Sequence, residues 1–247
     1  MPEKQPRARI ACVLTALFLS VLYVVIGYGV CAGIRAVPEG IAQATIEEEA
    51  SPFSKDDLVI GALAVRDYCF ANHDKDTLIE AIDGMNERAS TGFSQSAPSS
   101  APHADRYLLD EAAISHLDDV QAVVERTAYP IIGIAMIAAF LIFCTLSFFG
   151  PRVLCRALIG AGAADLIIIA LLLVWGLVNW QGLFGIFHTL FFEAGTWTFP
   201  ADSLLITMLP TNFWIGLGIV WIGTSALLAA ISLVVGLIGR AHMKRSR

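Results

Sequence analysis

Four long apolar runs decide the solvent in which this chain folds. Residues 10–34 are uncharged between Arg9 and Arg35, and residues 127–151 between Arg126 and Arg152. Residues 157–180 carry only Asp165, and residues 203–239 carry no charge. A helix needs about 20 consecutive apolar residues to cross a bilayer core, and each run reaches that length. Inside hydrocarbon every backbone polar group must be satisfied within the structure, which a helix does by itself. The expected fold class is therefore an all-α integral membrane protein. Its four transmembrane helices fall over 10–34, 129–150, 157–179 and 213–239. Composition agrees: 56% of the 247 residues are hydrophobic and 15% are charged. Soluble domains average about a quarter charged.

The net charge of −6 hides a strong asymmetry. Lys4, Arg7 and Arg9 precede the first run, Arg152 and Arg156 lie between the second and third, and Arg240, Lys244, Arg245 and Arg247 close the chain. Those nine basic residues share their segments with a single acid, Glu3, whereas residues 35–126 hold seven basic and eighteen acidic residues. Basic short segments stay on the cytoplasmic side. This puts the N-terminus (1–9), a turn at 151–156 and the C-terminus (240–247) in the cytoplasm. A domain over 35–128 and an interfacial or re-entrant segment over 180–212 then lie outside. The first run is longer than the 7–15-residue core of a signal peptide, so it is expected to remain as an anchor.

The exported domain is expected to be mainly helical. Residues 47–88 read as helix with polar breaks, and LVIGALAVRDYCF at 58–70 is apolar enough to pack on protein or on the membrane surface. The Ser/Ala/Pro-rich stretch 90–105 reads as a flexible insertion. Over 107–128, Leu109, Ala113, His116, Leu117, Val120 and Val124 recur at the spacing of one helical face. Pro130 follows at a place where a helix can kink. The small residues of LIGAGAAD at 158–165 suit close packing of membrane helices. Five cysteines, only one of them clearly exported (Cys69), make no disulfide framework.

Two histidines carry the chemistry this chain offers. His116 sits on the apolar face of its helix, where a histidine hydrogen-bonded in a core is the ordinary reading. His188 lies in FHTLFFEAGTWTFPADSLL (187–205), between Phe187 and Phe191. An aromatic interface belt explains the tryptophans there but not a broken apolar connection between two spans. Irregular backbone at membrane depth has to pack on protein or line a cavity, so the segment is expected to roof a pocket. Spans two and three are antiparallel neighbours, which brings the two histidines to the same outer surface. Histidine is the side chain best suited to exchange protons near neutral pH.

Among nearby groups, Asp202 reads as the N-cap of a short helix, and Glu193 either orients His188 or faces water. Asp165 lies inside the third span, where an ionisable group is a functional candidate by default. It is roughly 30 Å from the outer histidines at helical rise, so helix packing is its simpler role. His116, His188 and either Glu193 or Asp202 are zinc-ligand types, but their spacing gives a metal no support. Nothing matches a Gly-x-Ser-x-Gly elbow or a His-Glu-x-x-His helix.

The block F-H-x-x-F-F at 187–192, W-x-F-P-x-D-x-L at 197–204, and Leu209-Pro210 with Phe213-Trp214 leading into the last span resembles the lipoprotein intramolecular transacylase family, Lit. The S-H-L-D-D-V at 115–120 resembles that family's other histidine motif, ahead of the second span. The resemblance implies a bacterial cell-membrane acyltransferase. Such an enzyme moves the sn-2 acyl chain of a diacylglyceryl lipoprotein onto the α-amino group of its N-terminal cysteine. It implies His188 and His116 as the catalytic pair, and Phe187, Phe191, Glu193, Trp197 and Asp202 as substrate-binding or supporting residues. Its partners would be a diacylated lipoprotein and membrane phospholipid, with no nucleic acid, no metal and no cofactor. No acyl-serine or acyl-cysteine nucleophile is expected. The competing reading is a lipid-binding or accessory membrane protein using the same outer-leaflet pocket. A transporter is disfavoured by the lack of an inverted repeat, and a metal-dependent hydrolase is the remaining class.

Overall fold

The computed structural model describes residues 4–47, 51–97 and 100–245. It is helical throughout, in the order α1 (Lys4–Gly33), α2 (Ala36–Thr45), α3 (Lys55–Phe70), α4 (Lys75–Ala89), α5 (Glu111–Cys144), α6 (Pro151–Val178), α7 (Trp180–Thr189), α8 (Leu204–Met208) and α9 (Thr211–Arg245). A short 3-10 turn over Ala104–Arg106 precedes α5, and a π-turn over Thr145–Phe149 follows it. Helices α1, α5 with its π-turn, α6 and α9 are each long and apolar enough to cross a membrane. The chain divides into two compact units.

The first unit comprises Met1–Val30, Ala128–Leu183 and Val220–Arg247. Its surface is covered with large hydrophobic side chains; Leu177 is 87% and Val178 81% exposed. A water-soluble protein does not show apolar surface on this scale, and in lipid it is the ordinary outer face of a helix. Its interior is held by small residues and interhelical hydrogen bonds, as expected where lipid removes the hydrophobic drive between helices. A Cβ on Gly162 would run into the Ala229 carbonyl, and one on Gly236 would sit 2.8 Å from the Cys155 carbonyl, so α6 and α9 meet through glycine. Tyr23 Oη donates to Ser232 Oγ across 2.6 Å, Ser232 Oγ donates to the Leu158 carbonyl (3.0 Å), and Thr15 pairs with Thr145 at 2.7 Å. Asp165 is buried among these helices with its Oδ2 unpartnered among the described residues. Helix α5 runs through Pro130. The reversal between α5 and α6 is tighter than the 151–156 turn expected from sequence. It is made at Gly150, whose φ of 81° suits glycine, and Pro151 at once begins α6. Arg152 and Arg156 therefore stand on the first turns of a helix.

The second unit comprises Cys31–Thr127 and Phe184–Ile219. Its core gathers Leu58, Ala62, Val65, Leu78, Ile82, Met85, Ala113, Leu117, Leu204 and Met208 from α3, α4, α5 and α8. The apolar 58–70 stretch is α3, and it packs on protein. Ser54 caps α3 by accepting from the Asp57 amide (3.2 Å), and Asp74 caps α4 by accepting from Asp76 and Thr77. Gly61 lets α3 approach the sulfurs of Met85 and Met208. The 90–97 segment lies against α4: Asp83 accepts from Ser94, Ser96 and the Gln95 amide, and Phe93 stacks on Tyr107 at 4.3 Å. The Gln95 side-chain amide then holds the Leu109 backbone, its Oε1 accepting from the Leu109 amide (2.6 Å) and its Nε2 donating to the Leu109 carbonyl (2.8 Å), and buried Asn86 donates to the Tyr107 carbonyl (2.9 Å). These bonds fix where α5 begins.

Candidate active site

Helix α5 starts where the Asp110 carboxylate accepts from the Ala113 amide at 2.8 Å. Three residues on from Ala113, the 3.6-residue period turns His116 onto the same buried face as Ala113 and Leu117. On its other side Asp118 accepts from Tyr68 and from Lys75 (2.8 Å), tying α5 to α3 and α4 and fixing its rotation. His116 is thus aimed by the rigid part of the unit.

His188 is placed by spacing at the end of α7. Phe184, His188 and Phe192 recur every four residues and form one stripe, while Phe187 and Phe191 form another. Phe191 and Phe192 lie in the turn after α7, where the Phe192 amide still donates to the His188 carbonyl (2.9 Å). His188 is buried, whereas Phe187 and Phe191 are 41% and 46% exposed. The motif F-H-x-x-F-F therefore has an inner and an outer face. The His188 Nδ1 lies 2.8 Å from the Phe184 carbonyl. A carbonyl only accepts, so Nδ1 carries the hydrogen and the lone pair is left on Nε2.

The two imidazoles face each other, with ring centroids 6.2 Å apart and planes 29° from parallel. Phe192 packs edge-on to His116 at 4.9 Å and lies 5.8 Å from His188. Phe199 contacts His116 at 5.6 Å, and Phe184 and Trp197 contact His188 at 4.0 and 4.8 Å. Trp214, at the start of α9, closes on Phe184 at 6.0 Å. The sequence pointed to this histidine pair, and the fold brings it together inside one unit. The site is a box of aromatic rings around two imidazoles.

Burial in that box holds His188 below the ordinary histidine range, opposed by the hydrogen bond it gives to Phe184. The His116 Nδ1 and the Trp197 Nε1 are buried without a hydrogen-bond partner among the described residues. Cys69 is buried in the core of this unit, and burial pushes its thiol up to about 12.

Two of the remaining sequence candidates fall outside the box. Glu193 is exposed, and its carbonyl accepts from Thr196 in a tight loop leading to Gly195 at φ 91°. Asp202 is not the N-cap of the short helix. That position belongs to Ser203, whose extended backbone (ψ 151°) starts α8. Asp202 lies one residue too early to reach the first amides, and instead stands 3.7 Å from Arg106. Trp197, a substrate-binding or supporting residue by the resemblance, stands inside the box against His188; nothing in its sequence context marks an unpaired indole nitrogen.

An all-helical, multi-pass membrane protein with a buried histidine pair in an aromatic pocket is the class that fold and site define. The profile of the lipoprotein intramolecular transacylase Lit family matches residues 71–214. That is more than half of the chain and covers both histidines and the segment between them. The chain belongs to the Lit family. In-meso structures of the membrane-integral lipoprotein intramolecular transacylase Lit from Bacillus cereus share the fold. One superposes with a TM-score of 0.70 at 14% identity, covering 98% of this chain and 99% of that one. A histidine-to-arginine variant of the same protein gives 0.65 at 15% identity, covering 99% and 96%. A comparison with curated proteins gives no match.

Proposed function

We propose that this protein transfers the sn-2 acyl chain of a diacylglyceryl lipoprotein to the α-amino group of the same molecule's N-terminal cysteine, using His188 and His116. The observation that carries the reading is the facing pair of buried imidazoles, one with its lone pair fixed on Nε2, within a chain of the Lit family.

The chemistry suits what the site contains. Ester and amine belong to one substrate, so folding that molecule into an attack geometry supplies much of the acceleration. An α-amine has a pKa near 8 and is partly protonated at neutral pH. The His188 Nε2 takes a proton from the amine as its nitrogen attacks the ester carbonyl carbon. The carbon–nitrogen bond forms and the bond to the glyceryl oxygen breaks, while the proton taken up by His188 is passed to His116 and from it to the departing oxygen. Both imidazoles end neutral, as burial favours, and the product carries an amide and a free sn-2 hydroxyl. No serine or cysteine acyl intermediate is required. Phe187 on α7 and Phe191 in the turn that follows it, both exposed, present apolar surface to acyl chains. Glu193 and Asp202 act as supporting residues at the rim.

The charge distribution supports a cytoplasmic location for both termini in a bacterial cell membrane, with the 35–128 domain and the histidine box on the outer leaflet. The test is to express the chain in a bacterium whose lipoproteins are diacylated and to sequence their N-terminal peptides by mass spectrometry. N-acyl, S-monoacylglyceryl cysteine is expected. Unchanged lipoproteins beside well-inserted protein would reject the reading.

A further inference from the structure

The aromatic box contains a hydrogen-bond donor that the histidine pair does not use. Trp197 lies with its ring centroid 4.8 Å from that of His188, at 33° to its plane. A Cβ built on Gly185 of α7 would stand 3.7 Å from the far edge of its benzo ring, at Cη2. That end of the indole is therefore seated against α7. The Nε1 is shielded from solvent, yet no group among the described residues accepts from it. A buried indole N–H ordinarily finds a partner, and each buried unsatisfied polar atom in a native site requires an explanation. The contrast within the chain is instructive. Trp214 gives its Nε1 hydrogen to the Leu209 carbonyl (3.1 Å), and Trp221 gives its own to the Val24 carbonyl (2.8 Å).

Resting on the transacylase reading, we propose that the Trp197 Nε1–H is the donor that binds the carbonyl oxygen of the sn-2 ester and stabilises its negative charge during amine attack. An indole N–H can only donate, so the assignment has one polarity. As the amine nitrogen bonds to the carbonyl carbon, the carbonyl π-electron pair moves onto oxygen. Trp197 holds that oxygen by a hydrogen bond without transferring its proton. When the pair returns, the bond to the glyceryl oxygen breaks and His116 supplies the proton to that oxygen. This separates three duties among three rings around one substrate group: base at His188, acid at His116, oxyanion donor at Trp197. It also accounts for the place of Trp197 beside the base. A donor for the carbonyl oxygen has to stand close to the group that deprotonates the attacking nitrogen.

The test uses the full-length protein in detergent or nanodiscs with a synthetic diacylglyceryl-cysteine peptide, following N-acylation by mass spectrometry. Trp197→Phe keeps an aromatic ring and deletes the N–H. Loss of a single oxyanion donor lowers turnover by about a hundredfold or more. The expected result is that fall in kcat with KM unchanged and the pH profile unmoved in shape, because Trp197 does not titrate. Full turnover in Trp197→Phe, or a rise in KM alone, overturns the proposal while leaving the transacylase reading intact. An inactive wild-type protein overturns both. If the phenylalanine variant unfolds, site-specific benzothienylalanine at position 197 replaces the N–H by sulfur in nearly the same shape. The same loss of kcat is expected, and full activity there is again fatal to the proposal.

Discussion

His188 owes its chemical identity to the residue four places before it. The Phe184 carbonyl accepts from Nδ1 at 2.8 Å and so leaves Nε2 as the basic nitrogen. Replacing His188 with alanine should lower N-acylation by at least about a hundredfold, the usual contribution of a positioned acid–base group. Deleting a buried ring packed on Phe184 and Trp197 leaves a cavity, so the melting temperature should also fall, and the activity is compared at equal amounts of folded protein. The pH dependence follows from burial. His188 is held below the ordinary histidine value of about 6.5. It is therefore neutral and competent as a base at neutral pH, and the acid limb of the kcat profile should lie below 6.5, measured as turnover against pH in the purified protein. Stability has the same sign. Below about pH 6.5 the unfolded chain takes up this proton before the folded one, so His188 contributes a loss of stability as pH falls toward its folded value. A thermal-shift series from pH 8 to 5 on wild type and His188→Gln isolates that contribution. Asp202 makes a useful contrast. Its pairing with Arg106 is long, at 3.7 Å, and more than half of the Asp202 side chain is exposed. Exposed pairs contribute between 0 and about 1 kcal/mol, so Asp202→Asn should shift the melting temperature by no more than a degree or two.

At the scale of elements, the reading depends on where helices come close. Gly162 places α6 against the Ala229 carbonyl and Leu233 of α9. Gly162→Leu has no room, because backbone rather than a flexible side chain meets its Cβ, and should lower thermal stability in detergent by several degrees. Gly150→Ala places a side chain at φ 81°, ψ 172°, a region essentially reserved for glycine, and should cost about 1–3 kcal/mol, read as a drop in the same assay. The apolar runs, the small-residue segment of α6 and the aromatic segment at 187–214 were legible as elements because their periods and lengths are strong signals. The Asp83 clasp on residues 94–96 was not, since a serine-rich stretch gives no sign of what its amides will bond to. The N-cap of α8 was missed by one residue, Asp202 for Ser203, because both are good caps and only the backbone angles decide between them.

For the molecule as a whole, the sequence made the meeting of the two histidines an expectation through topology. One lies ahead of the second span and the other after the third, on the same side. What it left open was orientation: which face of FHTLFF turns inward, and which nitrogen of each ring stays free. Those depend on helix rotation set by Asp118, Tyr68 and Lys75 and by the Phe184–His188–Phe192 stripe. The central claim is that this arrangement performs an acyl transfer within one lipoprotein. The most direct measurement is mass spectrometry of lipoprotein N-termini from cells expressing the wild-type chain and the His188→Ala chain at equal membrane levels. The account predicts N-acyl, S-monoacylglyceryl cysteine in the first and unmodified diacylglyceryl cysteine in the second. The same N-acylated product from both chains would contradict it.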